Sequence, residues 1–151
     1  QESAPVKRFR FSLQTLLRYR TLLEERRREE LSQCLARESQ ALQHLTELKT
    51  RLDTLTSPPL SGSDDLSWWA LAAQYREQVR LLAEKADEVY RKTVLESGRA
   101  RSAWQEARVQ MRLVERLREK ALRAWQEEAD REAQSLADDL FLARWPLREE
   151  P

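Results

Sequence analysis

The chain has 151 residues, 35% of them charged and only 7% aromatic, with a formal net charge of +1. That is one domain's worth of length with too little apolar mass for a thick globular core. Two glycines, one histidine and one cysteine leave little for a turn-rich sheet, a Gly-rich phosphate cradle, a His/Cys metal cluster or an intramolecular disulfide.

The first predicted element is a helix over 12–56. The Ser12 hydroxyl is placed to cap its first turn, and its apolar face runs through Leu13, Leu16, Leu17, Leu23, Leu31, Cys34, Leu45, Leu48, Leu52 and Leu55. It ends at Ser57-Pro58-Pro59, because tandem prolines remove backbone donors and push the preceding residue out of the α region. Residues 57–66, with Gly62 among serines and aspartates, read as a hinge loop short enough to return the chain on itself.

A second, longer helix is predicted over 67–145. Ala72, Tyr75, Val79, Leu82, Ala86, Val89, Ala100, Ala103, Ala107, Val114, Leu117, Ala121 and Ala124 recur at steps of three and four. That average of 3.5 keeps one narrow stripe against a partner helix over many turns. The fold class is therefore all-α: a single-domain, two-helix antiparallel coiled-coil hairpin whose second helix outruns the first. Setting Leu55 opposite Ala72 places Leu48 opposite Val79, Leu45 opposite Leu82 and Ala41 opposite Ala86, apolar against apolar. Glu38, Thr93 and Glu96 interrupt this seam. Arg27 near Glu96 reads either as a partly buried pair or as part of a frayed, solvated stretch.

Counting outward from the hinge exhausts the first helix near residue 114. Residues 116–145, with Leu117, Leu122, Trp125, Leu136, Leu140, Phe141, Leu142 and Trp145, then lack a helical partner in the chain. Such a stretch binds a partner, dimerises, folds back or packs on residues 1–11. Trp68 and Trp69, followed by Leu71 and Tyr75, open the second helix and offer an aromatic anchor beside the hinge or a structural end-cap.

Charge is segmented. Residues 7–28 and 99–123 are basic and lie side by side in the antiparallel register, whereas the stretch from Gln126 is acidic through Glu127, Glu128, Asp130, Glu132, Asp138 and Asp139. A basic end suits an acidic protein surface first and nucleic acid second, since no groove-reading module accompanies it. His44 beside the seam, Cys34 on it and adjacent carboxylates such as Glu24-Glu25 read as structural or solvated groups. No catalysis, small-molecule substrate, metal or cofactor is expected. No stretch approaches the roughly 20 apolar residues that cross a bilayer, and no apolar signal core is present, so a cytoplasmic setting is expected.

The opening Phe9-Arg10-Phe11-Ser12-Leu13-Gln14-Thr15-Leu16-Leu17-Arg18-Tyr19-Arg20 resembles the F-x-F-x-L-x-x-L-L-x-x-R start of the flagellar export protein FliJ family. Glu115-Arg116-Leu117-Arg118-Glu119-Lys120 and Glu132-x-x-x-Leu136-x-Asp138-Asp139-Leu140 resemble that family's C-terminal pattern, and Trp69 with Tyr75, Val79, Leu82 and Ala86 its second-helix start. The resemblance, shared in part with virulence-type secretion stalks, implies a non-enzymatic cytoplasmic stalk of a type III export apparatus, peripheral to the inner membrane. The termini would enter the hexameric export ATPase and promote its assembly, through Phe9, Phe11, Arg18, Arg20, Arg26, Arg27, Arg108, Arg112, Trp125, Leu136 and Leu140. The hinge end, with Trp68, Trp69, Leu71 and Tyr75, would meet the export-gate membrane protein, and export chaperones are a further implied partner. A nucleic-acid-binding helical arm and a self-associating coiled-coil spacer are the alternatives.

Overall fold

A computed structural model describes residues 8–56 and 66–144. It contains two helices, α1 (Gln14–Thr56) and α2 (Leu66–Arg144), and forms a helical hairpin with the longer helix second. The helix α1 begins two residues after Ser12. Residues 12–13 form a turn, the Gln14 N–H donates to the Phe11 carbonyl at 3.2 Å, and the Leu17 N–H donates to the Leu13 carbonyl at 2.9 Å. The hinge residues 57–65, with Pro58, Pro59 and Gly62, and also Lys7 and Trp145, lie outside the described residues.

The chain divides into two compact units, Glu24–Ala107 and Gln1–Leu23 with Arg108–Pro151. In the first unit, the face of α1 that turns inward is Glu24, Arg27, Leu31, Cys34, Glu38, Ala41, Leu45, Leu48, Leu52 and Leu55, each buried or half-buried. These steps of three and four are those the sequence prescribes. Leu45 and Leu48 form the core with Ala83 and Ala86, and Tyr90 packs against it. Burying leucines of this kind stabilises the pairing by about 1.5–3 kcal/mol each.

Of the expected α2 seam, Ala72, Val79, Ala86, Thr93, Ala100, Ala103, Ala107, Val114 and Ala121 turn inward, whereas Tyr75, Leu82, Val89, Glu96, Leu117 and Ala124 are exposed. Ala83, Tyr90 and Ser97, each one residue beyond the expected Leu82, Val89 and Glu96, turn inward in their place, and Trp104 is half-buried beside Ala103. Leu82 and Val89 are 52% and 53% exposed, and Tyr75 is 45% exposed, whereas Ala83 is 9% exposed. Leu45 consequently meets Ala83 and Ala86 rather than Leu82. Two large aromatic residues, Tyr90 and Trp104, gain cover by this phase, and an aromatic side chain has more area to withdraw from water than Val or Ala. The same phase turns Glu96 off the seam. It pairs with Arg37 at 3.9 Å, while Arg27 bonds its own-helix neighbour Glu30 at 2.8 Å, so of the two readings of this stretch the Arg27–Glu96 pair is the one that does not form.

In the second unit, Val114 is buried and Leu17, Leu23, Gln110, Met111, Ala121, Leu122, Trp125 and Ala129 are half-buried. Residues 8–11, ahead of α1, extend the cover: the Phe9 ring lies 6.0 Å from that of Trp125. The uncovered part of α2 therefore begins near residue 130 rather than 116, and every described side chain from 130 to 144 is exposed.

Ion pairs reinforce the exposed faces. Arg80 bonds Glu77 at 2.6 Å and also Glu84. The side-chain hydrogen bonds from Arg80 to Glu77 and from Arg27 to Glu30 hold both carboxylates below their ordinary range. Their contribution is present above the ordinary carboxylate pKa and is lost as pH falls through the lowered values; with both pairs largely open to solvent it is small.

Gly98 has no structural reason to be glycine. It sits inside α2 without a positive φ, and a Cβ there meets nothing within 4 Å. Gly98→Ala is therefore expected to stabilise the protein by about 1 kcal/mol through helix propensity and backbone entropy. Thermal unfolding followed by circular dichroism checks this, and an unchanged or lowered midpoint would contradict it.

Candidate functional site

The first-turn aromatics of α2 are on the surface. Trp68 and Trp69 are 42% and 47% exposed, their rings edge-on with centroids 5.3 Å apart, and Leu71 and Tyr75 are 66% and 45% exposed. Position explains this: the described inward face of α2 starts at Ala72, so the preceding turn has nothing to cover. Two turns beyond Tyr75, Ala41, His44, Leu82, Lys85, Ala86 and Val89 line a shallow cavity of about 190 Å³. Sequence reasoning missed this groove because it placed Leu82 and Val89 on the seam.

At the chain's other candidate surface, Phe9 is clamped rather than free. Trp125 lies against one part of its ring, and the Arg118 guanidinium sits 6.0 Å from its centroid, within cation–π range. Arg118 was not among the sequence candidates. A helical period counted from Gln14 onward gives no place to Phe9, and hence none to the arginine it meets. Phe11 is half-buried, and its carbonyl anchors the start of α1. Arg18 and Arg112 are exposed, Arg20 and Arg108 half-buried, and the Arg20 guanidinium stands 5.8 Å from the Tyr19 ring. Leu136 and Leu140, each 62% exposed, lie on the uncovered part of α2. Arg26 and Arg27 fall in the other compact unit and both bond Glu30.

The polar seam contacts were the least expected. Glu24, read as part of a solvated face, is 7% exposed and accepts a hydrogen bond from the Trp104 indole N–H at 2.8 Å, with Arg28 at 3.9 Å. Ser97 donates to Glu38 across the helices and lies within 3.0 Å of the Val94 carbonyl. The available signal was pairing: a polar residue on one seam calls for a donor on the other, and only one phase of α2 supplies it. Cys34 is half-buried and receives an N–H of Arg37 at 3.3 Å.

The surfaces thus consist of exposed aromatics beside a groove and a basic terminal segment held by an aromatic clamp. A family model described as "Flagellar FliJ protein" matches residues 9–150. The chain belongs to the flagellar FliJ protein family. No curated protein matches it, and no solved structure does. FliJ-family membership makes the chain a structural component of flagellar type III export. Among the described residues of this FliJ-family chain, no helix is long and apolar enough to cross a membrane.

Phe9→Ala is expected to lower unfolding stability by about 1–2 kcal/mol, from the lost aromatic pair and its buried area, and to speed amide exchange around 118–125. Urea unfolding with residue-resolved hydrogen exchange checks both. Unchanged exchange there would show that Phe9 does not cover α2.

Proposed function

We propose that this chain is the non-enzymatic coupling component of a flagellar type III export apparatus, engaging the hexameric export ATPase with its terminal end and the export-gate membrane protein with its hinge end. The family match over residues 9–150 carries the reading. The residue distribution supports the division of labour. Arg18, Arg20, Arg108, Arg112 and Arg118 give the terminal unit a cationic surface suited to an acidic partner, and Leu136 and Leu140 offer an apolar helical stripe beyond it. Trp68, Trp69, Leu71 and Tyr75 form the hinge-end anchor, with exposed Trp and Tyr as the residue types that dominate interface energetics. Export chaperones are a further partner class on this reading. Its setting is the cytoplasmic side of the inner membrane, with peripheral rather than spanning attachment.

Mixing the protein with a candidate export ATPase is expected to raise hexamer formation and hydrolysis, read by ultracentrifugation and phosphate release. No binding and no change in either would overturn the ATPase half of the proposal. For the other half, Trp68→Ala with Trp69→Ala is expected to weaken gate-protein binding by at least about tenfold, as loss of a hot-spot anchor does, with helicity retained. Loss of helicity instead would make the pair a structural cap.

A further inference from the structure

The helix α2 carries two apolar stripes within the unit Glu24–Ala107. They share Ala72, Val79, Ala86, Thr93, Ala100 and Ala107. One adds Ala83, Tyr90, Ser97 and Trp104; the other adds Tyr75, Leu82, Val89 and Glu96, and Ala103, half-buried beside Trp104, borders both. Either set recurs every seven residues, and a partial roll of α2 exchanges them. Apolar bulk does not separate them cleanly, since Leu82 and Val89 compete with Ala83 and Tyr90.

We propose that Glu24 and Glu38 select between these two seams, and by that choice keep Tyr75, Leu82 and Val89 on the surface. Both carboxylates lie on the inward face of α1, Glu24 buried and Glu38 half-buried. In the observed phase each has a donor across the interface: the Trp104 indole N–H for Glu24 at 2.8 Å and the Ser97 hydroxyl for Glu38. Among the described residues no buried side-chain nitrogen or oxygen lacks a partner. In the alternative phase Trp104 turns away and leaves Ala103, already half-buried in the observed one, which has no side-chain donor for Glu24. Glu96 replaces Ser97 and brings a second carboxylate toward Glu38, with repulsion in place of a hydrogen bond. Polar seam residues commonly act this way, specifying register at some loss of stability. Here they specify phase.

The consequence reaches the surface. With Ala83 and Tyr90 turned inward, Leu82 and Val89 line the groove with His44 and Lys85, and Tyr75, two turns before Leu82, is exposed. The opposite phase turns those three side chains toward α1 and removes the groove. Glu24 and Glu38 are thus positioning residues for a face they do not themselves form, whichever partner docks there.

Single-thiol reporters read the phase. In a Cys34→Ser background, Leu82→Cys and Ala83→Cys are made separately, and the rate of iodoacetamide labelling is measured on the full chain. The exposed position is expected to react roughly tenfold or more faster than the buried one, which reacts only on local opening. In Glu24→Leu/Glu38→Leu, helicity and thermal midpoint are expected to hold or rise, because apolar replacement of buried polar pairs is often stabilising. The ratio is expected to fall to within roughly threefold as the two phases become comparably populated. Glu24→Gln/Glu38→Gln keeps the acceptors and is expected to retain the original ratio. An unchanged ratio in the leucine variant with helicity intact overturns the proposal. If that variant loses helicity, Ser97→Ala/Trp104→Phe, which removes the donors instead, gives the deciding ratio by the same criterion. Binding of an export component is not read in this experiment, so its outcome is separate from that of the proposed function.

Discussion

A polar group on a helix–helix seam must find its partner across that seam or lose its water without compensation, and this constraint governs how α1 and α2 meet. The apolar residues permit two phases of α2. The carboxylates of Glu24 and Glu38 are matched by donors in one, and the structure takes that one. Ala83 and Ala86 then pack with Leu45 and Leu48, with Tyr90 against them, and Ala100, Trp104 and Ala107 are buried or half-buried further along α2. The core this builds is thin: Leu45, Leu48, Ala83 and Ala86 with Tyr90 against them. Hairpin stability therefore comes from repetition along the seam rather than from depth at any one point.

Because the seam is narrow, most side chains stay in water, and their chemistry is available to partners. Exposed aromatics open α2 where no inward face has begun, and Leu82 and Val89, displaced from the seam, line a groove further along the helix. The terminal unit behaves differently. Residues 8–11 leave the helical path and place Phe9 between Trp125 and Arg118, so an aromatic residue that seemed available for binding is partly used in holding the chain start against α2. Uncovered helix then begins near residue 130, with Leu136, Leu140, Phe141 and Leu142 exposed on an acidic background. A member of an export family needs surfaces more than clefts, and this distribution of exposed residues provides them.

The whole of the α1 seam from Leu31 to Leu55 was legible in the sequence, because there only one stripe is apolar. In α2 the seam was legible at Ala72, Val79, Ala86, Ala100, Ala103, Ala107, Val114 and Ala121. It was misplaced by one residue at Leu82, Val89 and Glu96, as Leu82 and Val89 outrank Ala83 on hydrophobicity alone. Matching Glu24 and Glu38 to Trp104 and Ser97 would have chosen correctly, since an unmatched buried carboxylate costs more than a misplaced leucine gains. Phe9 was missed as a structural residue for a different reason. Periodicity speaks only for residues inside a helix, and Phe9 lies in front of one. The exposure of Trp68 and Trp69 followed from their place at the start of α2, whereas the identity of what meets them is not encoded in helical period at all.

Nuclear Overhauser contacts from the Trp104 indole proton test the seam most directly. With this phase, that proton is slow to exchange and shows contacts to side-chain protons of Glu24 on α1, while the Leu45 methyls contact the Ala83 methyl. A rapidly exchanging indole proton, with the Leu45 methyls contacting Leu82 and Val89 instead, would place the other stripe of α2 against α1 and contradict the account.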